Sequence, residues 1–458
     1  MNIVKSILPA VAALALTGCG HGQGDGDSAD TLHALPDTLR VATLYSPTSY
    51  FIYREEKMGY DYTLVQDFCA DKRMTMDLRV APSLETALQW LDSGSVDLVA
   101  YQVPVTKQYN SMVAHCGPVT TTTQVLVQPR GDSIITDVTQ LVGRDVYVEK
   151  NSKYQQRLEN LNSELGGGIK IHNVDRDTLI TEDLLAEVAK GVIPMTVVDS
   201  DIASLNKTYY PGLDINLSLS FGQKASWGVA PDKKWLADSV DAWIAADRQT
   251  RIAASVYKRY FEMSKNLPQS YSGYVIPKGH ISPYDDIFRR YAPQLGWDWR
   301  LLASLAYVES RFDNSVTSWA GARGIMQIMP GTARAQGVSP EALRDPETSV
   351  RIAVKLLKAL DKMLRSRVSD PDQRRLFVLA AYNAGGGHIL DAIALASKLG
   401  HNPNVWHGGA ETALLLKADA AYYNDPAVRF GYFRGRQTVE HVRQVEDFYN
   451  RVRKSVKK

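Results

Sequence analysis

At 458 residues the chain is long enough for two or three domains, each with its own hydrophobic core. A formal net charge of +2 with 22% charged residues gives no indication of a nucleic-acid partner or of an unusually acidic one. Three cysteines are too few for a disulfide framework, and the nine histidines are scattered without metal-binding spacing, so neither a metal nor a cofactor is expected.

The first residues of the sequence have the pattern of a targeting segment. An apolar run over residues 7–16 is too short for a permanent membrane-spanning helix. It ends in Leu16-Thr17-Gly18-Cys19, which resembles a bacterial lipobox. The resemblance implies that residues 1–18 are a lipoprotein signal peptide and that lipid on Cys19 anchors the mature chain to the outer membrane, facing the periplasm. An ordinary cleaved signal with a chance cysteine is the alternative. Residues 19–37 are rich in Gly and Asp and predict a flexible tether.

Residues 38–263 alternate between short apolar strands and amphipathic helices. Strands are predicted over residues 39–44, 76–80, 96–101, 145–149, 169–174 and 195–198, with helices over 63–72, 84–91, 154–161 and 183–190. A returning strand at 226–230 and helices over 234–261 complete this part. Such alternation predicts parallel sheets with helices on their faces. Cys69 and Cys116 fall in this part and form either a disulfide or two buried thiols.

This domain resembles the family 3 periplasmic solute-binding proteins. The resemblance depends on five short motifs in order: Leu39-Arg40-Val41-Ala42-Thr43, Gly59-Tyr60-Asp61-Tyr62, Ser93-Gly94-x-x-Asp97, Val105-Thr106 and Val197-Val198-Asp199. It implies two α/β lobes with a ligand cleft between them. In amino-acid-binding members an arginine clamps the ligand carboxylate at the position where this chain has Tyr109, whereas Asp199 matches the usual partner of the ligand ammonium. A free amino acid is therefore not the expected ligand, and a peptide, a muropeptide or no ligand at all remain open.

Residues 264–282 predict an interdomain linker, and residues 283–458 a mostly helical, lysozyme-like domain. Helices are predicted over residues 284–295, 299–312, 331–336, 346–364, 376–383, 389–397 and 439–453. The second of these is capped by Asp298 and is apolar almost all round, which predicts a buried helix. Glu309 lies near its end, where burial would raise the carboxyl pKa and suit the group to act as an acid. The alternative is a glutamate that points into water.

Three motifs in this domain resemble the lytic murein transglycosylases of the soluble type. They are Glu309-Ser310, Gly321-x-x-Gly324-Ile325-Met326-Gln327 and Ala381-Tyr382-Asn383-Ala384-Gly385. The resemblance implies that Glu309 is the catalytic acid, that peptidoglycan glycan strands are the substrate, and that four residues bind it: Ser310, Gln327, Tyr382 and Asn383. The chain departs from the family at three positions, with Ser349 in place of Asn, Gln437 in place of Glu and His441 in place of Tyr.

One carboxylate suffices for this chemistry if the substrate supplies the second group. Ordinary glycosidases use two carboxylates, but the near neighbour Asp313 stands among turn formers and is expected to form an Asx-turn. Glu309 would first protonate the glycosidic oxygen and then deprotonate the C6 hydroxyl, leaving a 1,6-anhydromuramic acid end.

The pairing of the two domains resembles membrane-bound lytic transglycosylases and implies a regulatory N-terminal domain. The alternatives are a hydrolytic muramidase and a ligand-sensing lipoprotein that only grips glycan.

Overall fold

The computed structural model describes residues 34–175, 181–263, 276 and 279–457. The predicted signal peptide, the lipidation site Cys19, and most of the tether and linker lie outside this range. Among the described residues, no helix combines the length and the apolar composition needed to cross a membrane.

The N-terminal half contains two five-stranded sheets and a small two-stranded one. The strands are β1 (Thr38–Thr43), β2 (Phe51–Tyr53), β3 (Glu56–Met58), β4 (Thr75–Val80), β5 (Leu98–Pro104), β6 (Ala114–Thr122), β7 (Gln124–Pro129), β8 (Asp145–Glu149), β9 (Lys170–Val174), β10 (Thr196–Asp199), β11 (Leu213–Asp214) and β12 (Gln223–Val229). The helices are α1 (Tyr60–Asp71), α2 (Leu84–Asp92), α3 (Lys107–Asn110), α4 (Lys153–Glu164), α5 (Thr181–Ala189), α6 (Ser200–Lys207), α7 (Lys234–Ala245) and α8 (Asp247–Phe261).

Each five-stranded sheet is the centre of one lobe. Lobe 1 has the strand order β4-β1-β5-β12-β6 and lobe 2 the order β11-β7-β10-β8-β9. Strands β1, β4 and β5 run parallel, as do β8, β9 and β10, which confirms the predicted parallel pairing. The antiparallel strands β6, β7 and β12 stand where the chain crosses between the lobes. The predicted two-lobed α/β class is confirmed, with mixed rather than purely parallel sheets.

The strands β2 and β3 form a hairpin, residues 51–58, that the sequence pattern does not predict. Tyr53 pairs with Glu56, so that Arg54 and Glu55 form a two-residue turn, and both have positive φ, 49° and 66°. Turns of this type favour Asn-Gly, because other residues strain by about 1–2 kcal/mol each in the left-handed region. Backbone strain of this kind persists where surrounding contacts compensate for it.

The C-terminal half of the described chain is helical. Its helices are α9 (Asp285–Tyr291), α10 (Trp299–Ser310), α11 (Pro330–Ala335), α12 (Pro346–Leu364), α13 (Pro371–Ala384), α14 (Gly386–Lys398), α15 (Glu411–Leu416), α16 (Ala420–Tyr423) and α17 (Gly435–Ser455). Short 3₁₀ helices also occur in the chain, at Val138–Leu141, Pro231–Lys233, Ala292–Leu295 and Pro340–Arg344. The predicted mostly helical class of this domain is confirmed.

The helix α10 is the central element of this domain. Asp298 caps its N-terminus by accepting a hydrogen bond from the Arg300 backbone, and Arg311, with φ of 58°, ends it in the left-handed region. Every residue of the helix except Arg300 is buried. Its Tyr307 ring stacks on Phe448 of α17 at a centroid distance of 3.9 Å. Burying one large apolar side chain stabilises a fold by about 1.5–3 kcal/mol, so this helix is held rigidly enough to position a catalytic group.

The two cysteines of the N-terminal half do not form a disulfide. Cys69 and Cys116 are both free and buried. Of the two alternatives left open by the sequence, the structure has the pair of buried thiols.

Candidate active site

Glu309 lies in the last turn of α10 with 2% of its surface exposed. Burial raises the pKa of its carboxyl, and the neighbouring Arg54 guanidinium opposes that rise. The predicted burial and the predicted direction of the pKa shift are both confirmed, and the alternative of a glutamate pointing into water is wrong. An acid with a raised pKa at the end of a rigid helix is suited to protonate a leaving group.

Arg54, at the tip of the hairpin, lies directly against this carboxyl. Its Nη2 donates to both oxygens of Glu309, at 3.1 and 3.0 Å. Its Nη1 donates to the carbonyl of Gln327 at 2.8 Å, and its Nε donates to the carbonyl of Asn383 at 3.2 Å. One guanidinium of the N-terminal domain thus binds the backbone or side chain of three of the predicted site residues.

The rest of the hairpin makes further polar contacts with the C-terminal domain. The Arg54 N–H donates to Ala384 O (3.2 Å), His388 Nε2 donates to Ile52 O (2.8 Å), and the N–H groups of Gly331 and Gly387 donate to Glu56 (2.6 Å) and Glu55 (3.3 Å). Beside Arg54 a cavity of about 30 Å³ remains. That volume accommodates water but no sugar ring. At Glu309 itself the Arg54 guanidinium contacts both carboxyl oxygens, so the hairpin stands directly in front of that group.

The glycine-rich turn between α10 and α11 is fixed by close packing. A Cβ on Gly324 would lie 2.0 Å from the carbonyl oxygen of Leu343, so glycine alone fits there. The Ser310 hydroxyl donates to the carbonyl of Ile325 at 2.8 Å, and the Tyr382 hydroxyl donates to that of Met326 at 2.6 Å. In this structure these two side chains fasten the turn to the helices around it. Their predicted contact with substrate stays a prediction.

The remaining predicted residues line the same space. The Gln327 side chain is buried and donates from Nε2 to the carbonyl of Gly324 at 3.0 Å. The Asn383 side chain accepts a hydrogen bond from Thr438 at 2.7 Å. Glu309, Gln327, Tyr382 and Asn383, taken from three separate motifs, thus meet around one point, as the resemblance implies.

Asp313 does not supply a second catalytic carboxylate here. Its Oδ1 accepts from the backbone N–H and the hydroxyl of Ser315, at 2.8 and 2.6 Å, on an exposed turn. These hydrogen bonds lower the pKa of its carboxyl. The predicted Asx-turn is confirmed.

The two candidate ligand residues of the N-terminal domain lie in different lobes. Asp199 ends β10 in lobe 2 and forms an ion pair with Lys153 at 2.5 Å. A cation of the chain itself therefore contacts the carboxylate that is predicted to bind a ligand ammonium group. Tyr109 lies in α3 and packs against the hydrophobic core of lobe 1.

Lobe 2 also contacts the C-terminal domain, near the start of α17. Three side chains make this contact: the Tyr432 hydroxyl donates to Glu182 (2.7 Å), Arg434 donates to Asn206 (2.6 Å), and Arg436 pairs with Asp183. Both lobes therefore hold the C-terminal domain, lobe 1 through the hairpin and lobe 2 through this cluster.

Arg54 is the functional candidate that the sequence pattern misses. Its only local signal is a short aromatic and β-branched run, Phe51-Ile52-Tyr53, followed by charged residues without a turn-forming Gly or Asn. Within the described ranges, no group of His, Cys, Asp and Glu side chains could hold a metal ion.

The comparisons with known proteins agree with both halves of the fold. A family model described as "Bacterial extracellular solute-binding proteins, family 3" matches residues 39–263, and one described as "Transglycosylase SLT domain" matches residues 286–405. A membrane-bound lytic murein transglycosylase F of Pseudomonas fluorescens is 31% identical over 419 residues, covering 90% of this chain and 84% of the relative. The protein of that name from Desulfosudis oleivorans is 29% identical over 416 residues, covering 90% and 88%.

A third relative, membrane-bound lytic murein transglycosylase F 2 of Alkalilimnicola ehrlichii, is 29% identical and matches over 98% of both chains. The similarity thus includes both domains in one continuous order. The chain therefore belongs to the membrane-bound lytic murein transglycosylase F family, as a lytic transglycosylase that carries a solute-binding domain ahead of its SLT domain.

Proposed function

We propose that the chain cleaves the β-1,4 bond between N-acetylmuramic acid and N-acetylglucosamine in peptidoglycan without water, leaving 1,6-anhydromuramic acid ends. The observation that carries this proposal is the buried carboxyl of Glu309 at the centre of the site. Its neighbour Asp313 is exposed and engaged in a turn, so we assign the role of the second group to the substrate.

Glu309 acts first as an acid and then as a base. Its proton passes to the glycosidic oxygen as the bond to C1 of the muramic acid breaks, and the substrate's own N-acetyl oxygen stabilises C1 as an oxazolinium-like intermediate. The Glu309 carboxylate then takes the proton of the C6 hydroxyl, whose oxygen closes onto C1 and displaces the N-acetyl oxygen. The carboxyl ends with the proton it began with, and no water is consumed. Ser310, Gln327, Tyr382 and Asn383 are the proposed substrate-binding residues around it.

Mass spectrometry of sacculus digests tests this reaction. Products with anhydro ends are expected, each one water lighter than the corresponding reducing sugar. Reducing muramic acid ends would instead make the chain a hydrolytic muramidase. Absence of cleavage by the full chain and by the Arg54→Ala variant together would favour a lipoprotein that only grips glycan.

We further propose that the N-terminal domain keeps the enzyme inactive until its lobes move. Support comes from Arg54, whose guanidinium binds both oxygens of the proposed catalytic carboxyl and leaves beside itself a cavity too small for a sugar ring. Because lobe 2 holds the same C-terminal domain through Arg434 and Arg436, a change in the angle between the lobes strains one set of contacts or the other. Ligand-driven closure of the cleft would thereby draw the hairpin out of the site.

The strained turn at Arg54-Glu55 supports this proposal. Strain that the turn releases on leaving the site lowers the free energy needed to withdraw the blocking side chain. Coupling between two sites in one protein is typically about 1–3 kcal/mol, which corresponds to roughly 5–150-fold in an equilibrium constant. A ligand that prefers the closed lobes by that amount would shift the population of open active sites by the same factor.

The proposed ligand is a peptide or muropeptide, because Tyr109 replaces the arginine that clamps a free amino acid. Calorimetry with the mature full chain, using muropeptides and the twenty amino acids, tests binding. Sacculus cleavage rates, measured with each ligand that binds, test the coupling between the two domains. Tight binding of an ordinary amino acid would contradict the ligand assignment, and binding without a rate change would contradict the regulation.

The location of the protein is also a proposal. We place the mature chain at the outer membrane, facing the periplasm and held by lipid on Cys19, on the strength of the Leu16-Thr17-Gly18-Cys19 run. This position brings the enzyme to the glycan strands. The domain bounds 38–263 and 283–458 likewise stay predictions.

A further inference from the structure

His441 lies beside Glu309 without a role in the mechanism above. It belongs to α17 and is buried, with 5% of its surface exposed. Its Nε2 is 3.7 Å from Oε1 of Glu309, just beyond hydrogen-bond distance. Among the residues that the structure describes, this nitrogen has no hydrogen-bond partner. A buried polar atom left unpaired destabilises a fold, so its persistence calls for an explanation.

The explanation lies in the hairpin. Arg54 Nη2 binds both oxygens of Glu309, including the Oε1 that lies 3.7 Å from His441 Nε2. Burial, together with the positive charge of Arg54, lowers the pKa of the His441 imidazole to about 3. We call this arrangement, with the hairpin in the site, the occluded state. In it His441 is a neutral ring beside a carboxyl that is already bound by Arg54.

The other titratable groups on the elements around this part of α17 have partners of their own. Tyr382 of α13 donates its hydroxyl to Met326 O. Glu411 of α15 accepts from the Gly408 N–H and pairs with Arg443. The positions of Glu309 and Arg54 therefore determine whether the His441 ring is neutral or protonated.

We propose that His441 is a positioning residue for Glu309: once the hairpin withdraws, its Nε2 replaces the Arg54 guanidinium as the hydrogen-bond partner of the carboxyl. This inference rests on the proposed function of Glu309. The two atoms need to approach by about 0.8 Å, the difference between the observed 3.7 Å and a normal hydrogen bond of about 2.9 Å. A small side-chain rotation provides that movement.

The partner suits a carboxyl that alternates between acid and base. Neutral imidazole with its proton on Nε2 donates a hydrogen bond to one oxygen of Glu309, both when the other oxygen carries the acid proton and when the group is a carboxylate. In either state the hydrogen bond orients Glu309 towards the glycosidic oxygen. The proton that leaves Glu309 for that oxygen returns from the C6 hydroxyl, so His441 undergoes no net proton change over a turnover.

An NMR titration of the mature full chain with ¹³C-labelled histidine tests the pairing without any activity measurement. The His441 signal is assigned by its absence in His441→Gln. In the wild type the ring is expected to stay neutral from pH 5 to 8. In Arg54→Ala its pKa should rise by at least one unit, because a positive charge has gone and an unpaired carboxyl remains. Adding Glu309→Gln should reverse most of that rise. An unchanged titration in Arg54→Ala, or the same rise in the double variant, would overturn the proposal.

Kinetics in the Arg54→Ala background provide the second readout. His441→Ala should lower kcat at least tenfold with KM within twofold, whereas His441→Gln should restore most of kcat through its amide and remove one inflection from the pH profile. Thermal melts identify any variant that fails to fold. An unchanged kcat in folded His441→Ala would contradict the positioning role. If cleavage is absent even with His441 intact, the reaction assignment fails, and the titration still decides the pairing.

Discussion

Arg54→Ala should turn an occluded enzyme into a more active one. The substitution removes both hydrogen bonds to the Glu309 carboxyl and those to the Gln327 and Asn383 carbonyls. All of these belong to the occluded state, because they join the hairpin to the C-terminal domain. The variant therefore destabilises the state that excludes substrate and leaves the open state unchanged.

The expected size follows from the burial of the pair. Removing one partner of a buried ion pair destabilises the state that contains it by about 3–5 kcal/mol. Glu309 can take up a proton in the variant, since burial already raises its pKa, so the lower end of this range applies. About 3 kcal/mol corresponds to a shift of roughly 10² in the ratio of open to occluded molecules. The rate rises only until the open state is fully populated, so we expect an increase of at least tenfold.

The assay is the initial rate of release of soluble muropeptides from purified sacculi. Arg130→Ala is the matched control, because this exposed arginine lies in lobe 2 and its backbone N–H, which donates to the carbonyl of Gly212, is kept in the variant. Arg54→Lys keeps the charge but loses the planar fork, so an intermediate rate is expected. Arg54→Ala/Glu309→Gln should be inactive, which ties the increase to the proposed acid.

Two results would refute this reasoning. A folded Arg54→Ala variant with the wild-type rate would show that the hairpin does not limit access to the site. A rate below that of the wild type would mean that Arg54 takes part in the reaction. Thermal melts in parallel are needed for both readings, since loss of the pair also lowers the stability of the full chain.

Three further predictions concern the proposed acid, the anchor and a buried carboxyl. Glu309→Gln should reduce glycan cleavage by roughly 10²–10⁴-fold or more while sacculus binding in a pull-down assay persists. Undiminished turnover would show that Glu309 is not the catalytic acid. Cys19→Ala should move the protein from the membrane fraction to the soluble periplasm, and continued membrane association would indicate another anchor. Asp61 accepts a hydrogen bond from Trp227 Nε1 at 2.8 Å, and burial raises its pKa to about 6. Because its unfolded pKa is about 3.9, stability should fall as pH rises from about 4 to 6, by up to about 3 kcal/mol. Asp61→Asn should abolish that fall, as measured by denaturant unfolding at pH 4.5 and 7.5; an equal fall in both proteins would assign the pH dependence to other groups.

Much of the fold and part of the site can be read from local sequence. The apolar face, the Asp298 cap and the missing Gly and Pro define α10, and the carboxyl at its end is buried as that pattern predicts. The alternation of strand-like and helix-like spacing of apolar residues predicts the two α/β lobes, because this spacing indicates which side of each element faces a core. Gln327 and Tyr382 belong to two other short motifs, and they lie at the same site as Glu309, as the family resemblance implies.

The state of that site is decided by tertiary structure. Arg54 and Glu309 are 255 residues apart in the chain, and no local pattern marks them as partners. The hairpin that carries Arg54 has a turn without Gly or Asn, so the sequence contains no turn signal there, and contacts with the other domain compensate for the strain of its positive φ angles. The position of Ser310 likewise depends on packing, since its hydroxyl binds a carbonyl of the neighbouring turn. Sequence patterns report the burial of each element by itself, whereas the pairing of two charges across a domain boundary depends on how the assembled elements meet.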